Sequence, residues 1–260
     1  AGQALPGGAT CRAQVRYRPT LDQAATASLV VGATPGGSVA IPVTGDALTA
    51  ARLTSLTTSD SFGGVVVNTS SPAHRFIIQN DGEQSSGVLG VSKSGTNQAE
   101  FVIVPVAGSD CQGATLGQQG TCNVEVRFAP MAPGSQRMAS VAVTGMPGGT
   151  HTITLTGDAL TPGDLTIEQP TGGATLDFGA RDLGTGATSP TQTIRVRNLG
   201  GIATGALVTA ITGGGSASYA TALDGCTGNP LGAGGACDIQ LRFNPAAIGA
   251  QPATVTIRDN

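Results

Sequence analysis

The chain has 260 residues, 40 of them glycine and 15 proline, with only 11% charged and 3% aromatic. Its net charge of −3 comes from 13 basic and 16 acidic residues, and Lys93 is the only lysine. That balance excludes a basic nucleic-acid binder and an acidic disordered tail. No apolar run approaches the roughly 18 residues of a membrane helix, so no membrane insertion is expected.

Glycine and proline recur too often for long helices, and short alternating runs lie between them. Cys11-Arg-Ala-Gln-Val-Arg-Tyr-Arg-Pro19 comes first, then Ala27-Ser-Leu-Val-Val31, the turn Pro35-Gly36-Gly37 and Gly45-Asp-Ala-Leu48. Next are Phe76-Ile-Ile-Gln-Asn80, the turn Asn80-Asp81-Gly82, and Cys122-Asn-Val-Glu-Val-Arg-Phe128. In this last run Cys122, Val124, Val126 and Phe128 share one face, which is the half-buried strand pattern. Ser140–Thr144, the turn Pro147-Gly148-Gly149, Thr152–Thr156 and Gln192–Arg197 read the same way. Regular short strands with turn residues between them predict an all-β sandwich.

The runs repeat. Cys11–Pro19, Cys122–Pro130 and Cys237–Pro245 each hold a cysteine, an apolar alternation, an arginine, an aromatic residue and a proline. Gly45–Leu48 recurs as Gly157–Leu160, and Ala27–Val31 recurs as Ala139–Val143 and Ala253–Ile257. Three copies of one immunoglobulin-sized unit are expected, as tandem β-sandwiches. Residues 1–50 carry the C-terminal part of a first repeat, 51–160 a complete one, and 161–260 a repeat lacking its last strand. Incomplete sandwiches expose edges and half a core. The 260 residues are therefore expected to be a window on a longer array, completed by further repeats of the same chain, with strands donated by other copies as the alternative.

Cys111 and Cys122 are separated by ten residues, as are Cys226 and Cys237. Each pair brackets a Gly-rich loop, and a disulfide closing it is the natural reading. Zinc is the competing reading, but each repeat offers two cysteines without a nearby histidine, and zinc takes four ligands. Cys11 aligns with the second cysteine of each pair, so it is expected to be unpaired by truncation. Structural disulfides imply an oxidising compartment.

These residues resemble a family. Phe178-Gly179, Gly184, Ser189, Ile194–Asn198, Gly200, Cys226, Gly234–Pro245 and Gly249 are similar to the ASH-type (Hydin-like, major-sperm-protein-related) immunoglobulin-like repeats. The copy before it is similar through Phe62-Gly63, Asn80, Gly82, Cys111, Cys122, Phe128, Pro130 and Gly134. It departs at Asp60–Asn68, where Val65-Val66-Val67 replaces the usual small glycine turn. In bacteria such repeats occur in surface proteins of the choice-of-anchor D type. The resemblance implies secreted seven-to-eight-strand sandwiches and brings no catalytic residues.

Chemistry is sparse. His74 and His151 have no counterparts in the third copy and read as strand-edge residues. There is no nucleophile elbow, phosphate loop or calcium loop. Asp158, Asp164 and Asp224 read as turn or surface residues, and Arg16, Arg127 and Arg242 as outward-facing partners of strand neighbours. No catalytic residue, metal or cofactor is expected, and the chain is expected not to be an enzyme. The reading is a structural or adhesive segment of a long extracellular or cell-surface bacterial protein, able to form fibres, with the periplasm as the other compartment. Its partners are its own repeats or copies, a cell-surface protein or a glycan. The alternatives are a glycan- or protein-binding module and an accessory domain of a secreted enzyme. An exposed aromatic platform would favour glycan, and only Tyr219 is free to supply one.

Overall fold

The computed structural model describes residues 2–171, 175–183 and 189–260. In chain order the strands are β1 (Ala25–Ala33), β2 (Gly37–Gly45), β3 (Leu53–Thr54), β4 (Ser59–Val66), β5 (His74–Asn80), β6 (Gly90–Ser94), β7 (Phe101–Val104) and β8 (Thr121–Phe128). They continue with β9 (Gly134–Gly145), β10 (Gly149–Leu160), β11 (Leu165–Gln169), β12 (Gln192–Asn198), β13 (Leu207–Thr212), β14 (Tyr219–Asp224), β15 (Ala236–Phe243) and β16 (Thr254–Asp259). Helix among the described residues is limited to single 3-10 turns at Gln98–Glu100 and Ser216–Ser218. The fold is all-β, and its sheets build immunoglobulin-like sandwiches.

From Leu53 to Leu160 two four-stranded sheets face each other, ordered β4-β10-β9-β6 and β3-β5-β8-β7. Alternation places Cys122, Val124, Val126 and Phe128 inward from β8, and Val141, Val143, Ile153 and Leu155 inward from β9 and β10. Phe76, Phe101 and Phe128 are fully enclosed. Each such side chain stabilises by roughly 1.5–3 kcal/mol relative to exposure.

The sandwich is not wholly antiparallel, because β4 runs parallel to β10. The N-terminal strand breaks between Thr54 and Ser59. Its first part pairs antiparallel with β5, and its second crosses to the other sheet. Val65 on this crossing strand is buried, so the valines that replace the small turn serve the core.

From Leu165 onward a second apolar cluster repeats the pattern around Ile194, Val196, Ile239, Leu241 and Phe243. Its sheets are β11-β12-β15-β14 and the two-stranded β13-β16. Gly184, which helped to carry the resemblance, lies outside the described residues.

Near the N-terminus β1 and β2 form an isolated hairpin. Leu29 pairs with Ile41 as Val141 pairs with Ile153, and the Pro35-Gly36-Gly37 turn matches Pro147-Gly148-Gly149. Both turns use glycines at positive φ, 144° and 77° in the first and 136° and 76° in the second, where a side chain would be strained. Cys11–Pro19, however, is not a strand. Its counterpart β8 is held between β5 and β7, and nothing equivalent flanks Cys11–Pro19. Tyr17 is accordingly 45% exposed and not in a core, with its ring against Gly45.

Candidate functional site

Polar groups buried in the sandwiches are occupied with architecture, and they occur in matched pairs. Asn80 is fully buried. Its Oδ1 accepts from the N–H groups of Arg52 and Gly82, and its Nδ2 donates to the carbonyls of Gln84, Leu116 and Gly117. Asn198 does the same with the N–H groups of Asp164 and Gly200 and the carbonyls of Ile202, Leu231 and Gly232. A side-chain amide has two donors and one acceptor oxygen, so it can close a junction of three loops that no ladder reaches. Gly82 and Gly200 sit beside these amides because a Cβ there would run into the Ala50 or Pro162 carbonyl.

Two further pairs follow. The Ser71 hydroxyl donates to the Pro72 carbonyl and accepts from the Phe128 N–H, and Ser189 repeats this with Pro190 and Phe243. Ser86 donates to the Gly87 carbonyl and accepts from Leu116, as Thr204 does with Gly205 and Leu231. Sequence reasoning found Asn80 and Asn198 as matching positions but missed that they are buried hubs. The signal was available: each ends an apolar strand and is followed by Asp-Gly or Leu-Gly.

The cysteines lie where the loops close. Cys111 is bonded to Cys122 at 2.04 Å and Cys226 to Cys237 at 1.99 Å. Cys11 is exposed and without a partner. Beside the second bridge, Asp224 shapes the turn. Partial burial pushes its carboxyl upward, but this is outweighed by hydrogen bonds from the Thr227 hydroxyl and N–H, the Thr209 hydroxyl and the Cys226 N–H. Together they hold it down at about 2.

The remaining titratable groups are dispersed. His74 Nδ1 lies 2.7 Å from Asp60 Oδ2, and its ring stacks on Phe62 at 4.3 Å, which ties β5 to β4. His151 lies near the start of β10 with Nε2 buried and unpartnered among the described residues. Asp158 accepts from the Gln136 N–H, and the Asp164 backbone docks on Asn198. Arg16, Arg127 and Arg242 are exposed. On the outer face of β12 the Arg197 guanidinium donates to Glu168 and, with Arg195, holds that carboxyl below its ordinary range despite the opposing cost of desolvation. No group of three His, Cys, Asp or Glu side chains spaced for a metal occurs among the described residues.

A cleft of about 500 Å³ is the feature with binding geometry. It opens between β11 and the Thr175–Phe178 segment on one side and β16 on the other, with Ile194, Val196 and Leu241 on its floor. Tyr219 lines it as well, but the ring packs on Phe178 and Phe243, and its hydroxyl donates to the Gln251 carbonyl at 2.8 Å. It is therefore no flat platform for a sugar. In the middle sandwich β9 pairs with both β6 and β10. Here β16 pairs with β13 alone among the described strands.

No family model and no curated protein matches the chain. Among solved structures it is similar to an ASH/PapD-like domain of human CEP192, at 16% identity and a TM-score of 0.33, over 44% of this chain and 88% of that one. It is similar to the Escherichia coli chaperone DraB, at 11% identity and 0.31, over 76% of this chain and 88% of that one. It is also similar to WR4, a Caenorhabditis elegans MSP family member, at 11% identity and 0.28, over 42% of this chain and 97% of that one. At identities of this order the side chains of those proteins carry no information about the residues described above.

Proposed function

We propose that the chain is a non-catalytic structural or adhesive protein of the extracellular space or bacterial cell surface, built from immunoglobulin-like repeats of the choice-of-anchor D type. In this reading 51–160 is a complete repeat, with partial ones at 1–50 and 161–260. One observation carries it. What recurs between the two larger regions is scaffold: the paired amides of Asn80 and Asn198, the paired hydroxyls, and the two bridged loops. No reactive side chain recurs with them. The bridges support an oxidising compartment. The aliphatic cleft favours a protein partner over a glycan, because glycan sites stack sugars on exposed aromatic rings and Tyr219 is engaged in the core.

Fractionation of the cells that make the protein tests the compartment. The chain should be recovered from the surface or medium with its four paired cysteines oxidised. Recovery from the cytoplasm with those thiols free would overturn the reading. So would turnover on a panel of peptidase, esterase and glycosidase substrates that disappears in a normally folded His74→Ala protein.

A further inference from the structure

We infer that the loop after each buried asparagine is a docking socket, and that its occupant is the threonine that follows the last strand of the preceding repeat. Successive sandwiches are thereby joined stiffly, without a flexible linker. The inference rests on the repeat reading proposed above and names the partner of these two loops.

Pro162-Gly163 has the composition of a flexible connection between domains, yet the chain is engaged at each residue there. Asp158, Ala159 and Leu160 pair with Gly64, Val65 and Val66 of β4, and the Val67 N–H donates to the Leu160 carbonyl at 2.9 Å. The very next residue is held by the other sandwich. The Gly201 N–H donates to the Thr161 hydroxyl at 2.7 Å and to its carbonyl at 3.1 Å. The Pro162 carbonyl lies against Gly200, where a Cβ would strike it, and Gly163 lies against Thr204. The Asp164 N–H then donates to Asn198 Oδ1 at 2.9 Å, and the Asp164 carbonyl accepts from the Leu199 N–H at 2.7 Å. Leu165 is already paired with Asn198 at the start of β11. A hinge needs residues whose φ and ψ can change freely. From Asp158 to Leu165 every residue is held by one sandwich or the other.

The same socket occurs at the earlier boundary. Gly45-Asp-Ala-Leu-Thr49 and Gly157-Asp-Ala-Leu-Thr161 are identical. The Glu83 N–H donates to the Thr49 hydroxyl at 3.1 Å, and the Gln84 N–H donates to the Thr49 carbonyl at 3.1 Å. The Thr49 N–H in turn donates to Glu83 Oε2 at 2.9 Å. Arg52 takes the place of Asp164. Its N–H donates to Asn80 Oδ1 at 2.9 Å, and its carbonyl accepts from the Asp81 N–H at 2.9 Å. Gly82 lies against the Ala50 carbonyl as Gly200 lies against that of Pro162. The residues between differ, Ala50-Ala51 in one joint and Pro162-Gly163 in the other, so the shared contacts do not come from a shared linker sequence. What recurs is the threonine and a glycine-containing loop behind a buried amide. The asparagine thus has a second role: the amide that closes each sandwich also seats the chain arriving from the preceding one. In a structural or adhesive protein such joints let one repeat set the direction of the next.

The test uses the full chain in a Cys11→Ser background. Spin labels are placed on Thr152→Cys in the middle sandwich and Arg242→Cys in the C-terminal one, both exposed positions. A reference pair, Thr152→Cys with Arg127→Cys, lies within the middle sandwich. Pulsed electron paramagnetic resonance should give the two pairs distance distributions of similar width. Inserting Gly-Ser-Gly between Leu160 and Thr161 adds about 10 Å of flexible chain and should broaden the inter-sandwich distribution at least about twofold. Thr161→Gly removes the hydroxyl and frees the backbone, and should broaden it to a lesser degree. The reference pair should stay unchanged in both, which shows that the middle sandwich is still folded. A broad inter-sandwich distribution in the parent overturns the proposal. So does an insertion that leaves it narrow, because other contacts then hold the sandwiches together. A Thr161→Gly distribution indistinguishable from the parent overturns the threonine as occupant. These widths depend neither on the compartment nor on the absence of turnover, so the functional reading fails or stands separately.

Discussion

In the middle sandwich β9 has a strand on each side; among the described residues its counterpart β16 has one on a single side. The consequences spread beyond that edge. Val141 and Val143 are 1% and 0% exposed, whereas Val255 and Ile257 at the same places are only partly buried. Leu165, Leu176 and Ile211 stand half-covered around them. The sheet of β12 and β15, by contrast, is nearly as enclosed as its counterpart, with Ile239 and Leu241 at 2% and 1%. The difference in burial is confined to the sheet of β13 and β16 and the segments packed against it. The polar hubs and disulfides do not depend on it, because they lie in the loops at the strand ends.

That contrast can be broken or sharpened by substitution. The largest effect is expected at the buried amides. Asn80→Ala removes five hydrogen bonds between the buried amide and the backbone, and at about 0.5–1.5 kcal/mol for each the middle sandwich should lose more than about 3 kcal/mol. Asn198→Ala should cost its region a similar amount, although the neighbouring sheet is open. Urea unfolding followed by circular dichroism measures both. If Asn198→Ala proves nearly neutral, the two hubs are not equivalent and the open edge weakens the whole region.

Next come the bridges. Each closes a loop of the same span, with a sequence separation of 11, so chain entropy assigns each about 3 kcal/mol. Cys111→Ala with Cys122→Ala, and separately Cys226→Ala with Cys237→Ala, should lower the two stabilities by comparable amounts. A much smaller loss for the second pair would show that the open region retains less order for the bridge to protect.

The smallest effect distinguishes the regions by pH. The Asp224 carboxyl is held at about 2, below its usual 3.8. A depressed carboxylate contributes stability that is complete above the unfolded value and is lost as pH falls through the folded one. The C-terminal region should therefore weaken between about pH 4 and pH 2, and Asp224→Asn should flatten that decline. Tyrosine fluorescence in a Tyr17→Phe background reports it, since the chain has two tyrosines and no tryptophan and Tyr219 lies in the C-terminal cluster. An unchanged decline in Asp224→Asn would remove the turn from the acid response.

The sequence by itself determined the strands and their repeat. Inward residues such as Val124 and Leu155 recur with period two because successive side chains on a strand point to opposite faces. The cysteine spacing and the Pro-Gly-Gly turns were legible for a similar reason, since each is a local constraint written into adjacent residues. Pairing was not. Cys11–Pro19 has the same pattern as β8 yet forms no strand, because a strand exists only where another chain segment meets its hydrogen-bonding groups. The parallel course of β4, the burial of Asn80 and Asn198, and the withdrawal of Tyr219 from solvent are likewise contacts between residues far apart in sequence. The tertiary structure alone decided them, by bringing distant backbone edges and loop ends to one place.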